Sequence, residues 1–375
     1  MNWVTSQQQP ATASIEWPDV RESAATVSGF SQTWETGAQQ KVPIASVTKM
    51  MTAYLILKDH PLSSGSSGPT ITITAADVAA YKAAIANDDS GVKIVAGERL
   101  TERQALEALM LPSADDIAWA LAQWDEGGNG SFAANNTAFA AKMNAQARAM
   151  GMDNTDYTDP SGVAASTVST AHDQLILVRA AMKVPVFAQL VSLRSATIPV
   201  AGTITNYNSE TGEDGIIGIK TGSTNEALGC WAFAVRREVA GTERTVYGVV
   251  LGAPGNLTTM VPAAISAGVN LAGNVASKAV QQVTVLSAGS VVGHISVPWS
   301  NASAAVVTTR ALTGLAPSGS HVTVRTTSTD PGSSFTTGQQ VGSITATGLI
   351  SGTTTTPVVV EGSSGTPTGF WRLTH

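Results

Sequence analysis

The chain has 375 residues, 43% hydrophobic and only 13% charged, with a formal net charge of −6. That length exceeds what one hydrophobic core usually organises and implies two domains, while the apolar content and a mean hydropathy of +0.11 exclude disorder over most of the chain. An acidic balance without a Lys/Arg run excludes nucleic acid as a partner, the single Cys230 excludes disulfide and cysteine-zinc frameworks, and five scattered histidines with no H-x-x-x-H pair predict no metal.

Residues 1–20 lack the basic and apolar regions of a signal peptide, so export or anchoring, if present, is expected to depend on a segment upstream of this sequence. Short strands are predicted at Ala24–Gly29 and Gln32–Thr36. A helix follows over Ser46–Lys58, where Met50, Met51, Tyr54, Leu55 and Leu57 keep a helical period, and His60-Pro61 ends it before a Ser/Gly loop. Between Ala75 and Ala149 the Ala-rich patterns predict a helical lobe. It includes Thr101–Leu109 with Thr101 as N-cap, Asp115–Trp124 and Asn136–Met150.

From Ala196 to Ala253 the pattern turns to strands, with Ile217–Ile219, Leu228–Val235 and Val246–Leu251. The last two are joined by a charged hairpin of Arg236, Arg237, Glu238, Glu243 and Arg244. A partly buried helix over Pro262–Lys278, too polar for a membrane span, leads into Thr/Val/Gly-rich alternating runs that predict a separate all-β domain from about Val280.

Three short motifs carry the chemistry. Ser46-Val47-Thr48-Lys49 sets a hydroxyl and an amine three residues apart at a helix start, on one face, where the amine can take the hydroxyl's proton. Serine needs such a base at neutral pH, and Lys49 needs burial or a second cation to lose its own proton. Ser113-Ala114-Asp115 opens a later helix, and Lys220-Thr221-Gly222 ends a strand. Each motif has a plainer use. Ser113 with Asp116 three residues on also reads as a capping box, Asp115 as a first-turn acid, and Lys220 as a strand-end lysine.

In order and context these motifs resemble those of the low-molecular-mass penicillin-binding proteins, the serine D-alanyl-D-alanine carboxypeptidases. The likeness continues through Pro43–Ala53, Gly97–Thr101, Met150–Met152, Asp159-Pro160, Gly162, Ser169–Asp173 and Asp214–Thr224, covering roughly residues 20 to 275. It implies an α/β (α+β) penicillin-binding-protein/β-lactamase-like catalytic domain over residues 1–278, a sheet flanked by helices plus a helical lobe. A small all-β sandwich over 279–375 would follow, a spacer by analogy.

The resemblance further implies that Ser46 attacks the carbonyl between two D-alanines of a peptidoglycan stem peptide, with Lys49 as proton acceptor. Ser113 relays the proton to the leaving D-alanine, and Lys220 adds positive charge beside Lys49. Asp115 completes the catalytic set, the backbone N–H groups of Ser46 and Ser223 form the oxyanion hole, and Thr221, Gly222, Ser223 and Thr224 bind the substrate. β-Lactam antibiotics are the implied covalent ligands, no cofactor is implied, and the site of action is the extracytoplasmic bacterial envelope.

Two departures stand out. Asp115 occupies a position that is usually Asn, where an ionised carboxylate can only accept and would hold a lysine protonated. No basic residue occurs in Leu251–Leu257, so recognition of the terminal carboxylate is less well provided for. A β-lactamase of the same fold would need a deacylating glutamate, and Glu126, Glu210 and Glu213 all lack the required E-x-x-L-N context, which predicts a long-lived penicilloyl adduct. A scaffolding protein silenced by Asp115 is the non-enzymatic alternative. His172, outside any G-x-S-x-G elbow, reads as a helix-start residue, and Cys230 as core.

Overall fold

The computed structural model describes residues 2–3, 7–8, 14–128, 130–297, 299, 303–330, 332, 334–350 and 352–374. The chain divides into two compact units, Ile15–Ala276 and Met1–Ser14 with Ser277–His375. The first fourteen residues thus group with the C-terminal unit, not with the catalytic region to which the sequence assigns them. The cause is strand pairing. Asn2 and Trp3 pair with His294 and Gly293, and Gln7 and Gln8 pair with Thr323 and Val322.

The larger unit is built on an antiparallel five-stranded sheet of β1 (Glu22–Val27), β2 (Trp34–Glu35), β3 (Ile216–Thr224), β4 (Leu228–Val239) and β5 (Thr242–Ala253), in the order β3-β4-β5-β1-β2. In β4 every residue from Gly229 to Val235 is buried, as expected of a strand covered on both faces. The charged segment after Val235 is not a loop. Ala240 and Gly241, at φ +51° and +76°, make a two-residue turn, and Arg237 faces Arg244 while Glu238 faces Glu243. Positive φ at both turn residues matches the right-handed twist of the flanking strands, so β4 and β5 run on through their charges.

The helices are α1 (Lys49–Asp59), α2 (Ala75–Ala86), α3 (Glu102–Met110), α4 (Asp115–Asp125), α5 (Phe132–Ala149), α6 (Ala171–Ala181), α7 (Pro185–Val191) and α8 (Met260–Lys278). One apolar core joins α1, α3, α4, α6 and α7 to the strands, from Ala24 to Leu251. The N-terminal half of α8 lies so close to β4 that a Cβ on Gly268 would fall 2.5 Å from the Trp231 ring, which fixes that residue as glycine. Thr101 caps α3 through a reciprocal box with Gln104, as its sequence position predicts. α5 starts four residues before its predicted onset, at the cap Ser131. No single helix among the described residues is long and apolar enough to cross a membrane.

Glu102, in the first turn of α3, is 1% exposed, and its Oε1 has no hydrogen-bond partner among the described residues. Burial raises its pKa from 4.5 to about 7. The folded protein therefore holds a proton that the unfolded chain releases earlier, so stability is full below about pH 4.5 and declines as pH rises through 7. Glu102→Gln is expected to remove that decline and to stabilise the protein by about 2–3 kcal/mol at pH 8. Thermal unfolding of both forms at pH 5 and pH 8 tests this, and equal slopes would refute it.

The C-terminal unit holds a seven-stranded antiparallel sheet and a two-stranded ladder, Val280–Leu286 with Leu312–Pro317. Val283, Val285 and Leu312 of the ladder share one core with Val292, Ile295, Val306, Ile344 and Val358 of the sheet. That is the small all-β sandwich.

Candidate active site

The nucleophile motif does not open an α-helix directly. Ala45–Thr48 is a 3₁₀ turn, and α1 begins at Lys49. In a 3₁₀ turn residues i and i+3 eclipse, so Ser46 and Lys49 project together, and Lys49 Nζ lies 2.8 Å from Ser46 Oγ. Ala45, just before the serine, sits at φ +47°, a costly conformation for a residue with a Cβ. Ser46 is half-buried and reachable, whereas Lys49 is fully buried.

Lys49 Nζ donates three hydrogen bonds: to Ser46 Oγ, to Asp115 Oδ1 at 2.5 Å and to the Ser161 carbonyl at 2.8 Å. Three acceptors saturate an ammonium, which has three protons and no lone pair. Asp115, 2% exposed, has its pKa raised by burial, with the charge and hydrogen bond of Lys49 opposing.

Ser113 stands at φ +63°, outside α4, whose N-cap is Ala114 with no side-chain cap bond. The capping-box alternative therefore fails. Left-handed backbone turns Ser113 out of the helix, its buried Oγ has no hydrogen-bond partner among the described residues, and Asp116 Oδ1 instead accepts Val92 N–H at 3.3 Å.

Lys220 is 1% exposed and donates to the Thr221 carbonyl at 2.9 Å. Its pKa is lowered well below the usual lysine value, by burial first and by the charge of Lys49 second, with Asp115 opposing. Burial and the neighbouring Lys49 thus both disfavour the charged form of the second lysine, and Asp115 favours it.

β3 carries the third motif past Ser46. A Cβ added to Gly222 would lie 2.8 Å from Ser46 N and 3.1 Å from Val47 N, so glycine lets the strand approach the turn. Thr221 is buried, and Ser223 and Thr224 are half-buried. Thr224 Oγ1 accepts Ala227 N–H at 3.0 Å and closes the turn into β4. At the end of β5, Arg21 packs its stem over Gly252 and donates to the Glu226 carbonyl at 2.7 Å.

The sequence quoted Asp159, Pro160 and Gly162 without assigning them work, and it missed Ser161. Asp159 Oδ1 accepts Ser161 N, Ser161 Oγ and Gly162 N at 2.7, 2.6 and 2.6 Å, and Oδ2 accepts Ala164 N and Thr167 Oγ1. The loop so fixed offers the Ser161 carbonyl to Lys49 and the Pro160 carbonyl to Thr52. Gly162, at φ +86°, abuts the nucleophile turn, where a Cβ would fall 2.0 Å from the Ala45 oxygen. An Asp-Pro-Ser-Gly run is a turn signature, which was the available signal.

His172 is the second residue of α6 and pairs with Glu35 at 2.6 Å, away from Ser46's partners. Cys230 is fully buried, and burial pushes its thiol up to about 12, which leaves it inert. Glu213 pairs with Arg194 on the surface, and Glu126 caps the end of α4 opposite Asp115, about 16 Å along the helix.

The family described as D-alanyl-D-alanine carboxypeptidase matches residues 33–255. The D-alanyl-D-alanine carboxypeptidase of Streptomyces sp. strain K15 is 32% identical over 273 residues, covering 68% of this chain and 86% of that protein. DacB2 of Mycobacterium tuberculosis, a D-alanyl-D-alanine carboxypeptidase, is 32% identical over 278 residues, covering 67% and 81%. Among solved structures, the Streptomyces K15 DD-transpeptidase superposes with a TM-score of 0.59 at 29% identity, covering 69% of this chain and 98% of its own. DacD of Francisella tularensis shares the fold over 95% of this chain, with a TM-score of 0.60 at 20% identity.

Proposed function

The chain belongs to the D-alanyl-D-alanine carboxypeptidase family, and from that membership we propose that Ser46 is the nucleophile with which it removes the terminal D-alanine of peptidoglycan stem peptides. The protein is a serine peptidase of the cell wall, and β-lactams are its covalent ligands. The observation that carries the assignment of Ser46 is its contact with Lys49: a reachable hydroxyl 2.8 Å from a buried amine, at the turn against which Gly222 of β3 packs.

Ser46 Oγ attacks the scissile carbonyl and loses its proton toward Lys49, and the developing oxyanion is held by the backbone N–H groups of Ser46 and Ser223. The close approach of Gly222 to Ser46 N supports that pairing, since it brings the strand that carries Ser223 beside the Ser46 backbone. Ser113, with an unpartnered hydroxyl, delivers a proton to the departing D-alanine. Thr221 and Ser223 on β3 contact the substrate carboxylate, with Lys220 buried beneath and Thr224 fixing the following turn. The reaction takes place outside the cytoplasm, where the stem peptide is, and catalysis resides in the unit Ile15–Ala276.

Intact-mass spectrometry after exposure to benzylpenicillin, with peptide mapping, tests the reading alongside D-alanine release from a pentapeptide ending in D-Ala-D-Ala. The expected result is D-alanine release and a penicilloyl adduct on Ser46 that persists for many turnovers of the peptide. Glu126 at the far end of α4 from Asp115 and the exposed Glu213 paired with Arg194 are consistent with slow deacylation. Steady turnover of penicillin, or an adduct on another residue, would contradict the assignment.

A further inference from the structure

The contacts of Lys49 create a difficulty for a lysine base. All three donor directions of Nζ are occupied, so the amine has no lone pair for the Ser46 proton unless it first gives one up. The side chain is fully buried, so that proton does not leave directly to water. Of the three partners, Ser46 is the donor to be relieved, and the Ser161 carbonyl is an amide oxygen that does not take a proton near neutral pH. Asp115 is left, 2.5 Å from Nζ.

Resting on the reading of Ser46 as nucleophile, we propose that Asp115 is the terminal proton acceptor of acylation and that Lys49 is the conduit to it. As the Ser46 Oγ–carbon bond forms, the carbonyl π pair moves onto oxygen. The Ser46 proton passes to Lys49 Nζ while one ammonium proton passes from Nζ to Asp115 Oδ1. Lysine is an ammonium before and after, and the carboxylate becomes a carboxylic acid. On collapse the oxyanion pair re-forms the carbonyl as the carbon–nitrogen bond breaks, the leaving nitrogen takes the Ser113 hydroxyl proton, Ser113 recovers one from Lys49, and Asp115 returns its own to Lys49. No proton or electron pair is left unaccounted for. Substituting Asp for the more usual Asn does not silence the site on this account; it relocates the base.

The environment supports a carboxyl able to hold that proton. Burial raises the Asp115 pKa, with the charge and hydrogen bond of Lys49 opposing. The titratable groups acting on it are Lys49 from α1, Asp159 from the loop after α5 and Lys220 from β3, while Asp89, in the turn after α2, is itself raised by burial and by Asp115. Asp115 acts through Lys49 and is tested by a readout that a purely structural role would not move.

That readout is the pH profile of Ser46 acylation by benzylpenicillin in the wild type and in Asp115→Asn. The wild type should acylate with an acidic limb, because Asp115 must be ionised to accept. In Asp115→Asn the limb should move up by about two pH units or more, since Lys49 itself must then be deprotonated, and the rate at pH 7 should fall ~100-fold. Superposable profiles for the two proteins overturn the relay while leaving Ser46 as the nucleophile. No acylation of the wild type at any pH overturns the nucleophile assignment, and the relay with it.

If Asp115→Asn does not fold, the wild type decides alone. A peptide boronic acid forms a tetrahedral anion on Ser46 and leaves the serine proton on the protein. Difference infrared spectroscopy should then show a new protonated-carboxyl band, and its absence overturns the proposal.

Discussion

Ser46→Ala should lower D-alanine release by a factor of about 10⁴ or more and abolish the penicilloyl adduct, while leaving the thermal unfolding midpoint nearly unchanged. The kinetic loss is large because no other hydroxyl shares its position. The Ser113 Oγ is buried, and among the described residues it has no amine bonded to it. The structural change is small because Ser46 is one of three acceptors around Lys49, and the buried Asp115 carboxylate and the Ser161 carbonyl remain. Stopped-flow acylation, mass spectrometry and a thermal melt on the same preparation measure all three quantities. Retention of more than a hundredth of the activity would move the nucleophile elsewhere.

Gly222→Ala is the second large effect, and it operates without removing any reacting group. The backbone of Gly222 does not occupy the left-handed region, so alanine is conformationally acceptable there. The obstacle is space: its Cβ would sit 2.8 Å from Ser46 N, 3.1 Å from Val47 N and 3.2 Å from the Ala45 Cβ, and two of these are backbone atoms of a rigid turn. Either β3 retreats or the turn does, and the methyl group also crowds the N–H assigned to the oxyanion. Displacements of this kind cost about 100-fold, and loss of an oxyanion donor about as much again. The expected outcome is a fall of at least ~100-fold in kcat for D-alanine release with a folded protein. A normal kcat with only KM raised would show that the close approach serves binding alone.

Much of this organisation is readable from local sequence where local chemistry determines it. Thr101 and Gln104 mark the start of α3 because a capping box needs only residues three apart. The Ser46/Lys49 contact follows from spacing, although the 3₁₀ geometry that tightens it depends on packing by Gly162 and Gly222, distant in sequence. The charged stretch around Ala240 reads as a hairpin and is one, but its strands extend further than the apolar pattern marks, because two positive-φ residues suffice to turn them.

Ser161 was invisible for a different reason. It acts through its carbonyl oxygen, which every residue possesses, so its side chain does not announce the role. The contact of Lys49 with Asp115 spans 66 positions, and only the folded chain reveals that the acid saturates the amine and does not merely face it. Ser113 is the sharpest case. Its sequence fits a helix cap, and the left-handed backbone that excludes it from that role is set by tertiary packing.

The seven-stranded sheet of the C-terminal unit begins with Asn2–Trp3 on one edge and ends with Gln7–Gln8 on the other. Both borders are thus lined by residues that precede the larger unit and find their partners only after about 290 to 315 further residues have been synthesised, a separation whose closure entropy grows slowly with length. During translation the intervening unit can complete its own core while these two strands wait. Once paired, they shield backbone donors and acceptors that an open sheet would offer to a neighbouring molecule. Cutting the C-terminal region out at residue 277 therefore removes more than a tether: it bares two sticky margins and turns the module into a template for self-association.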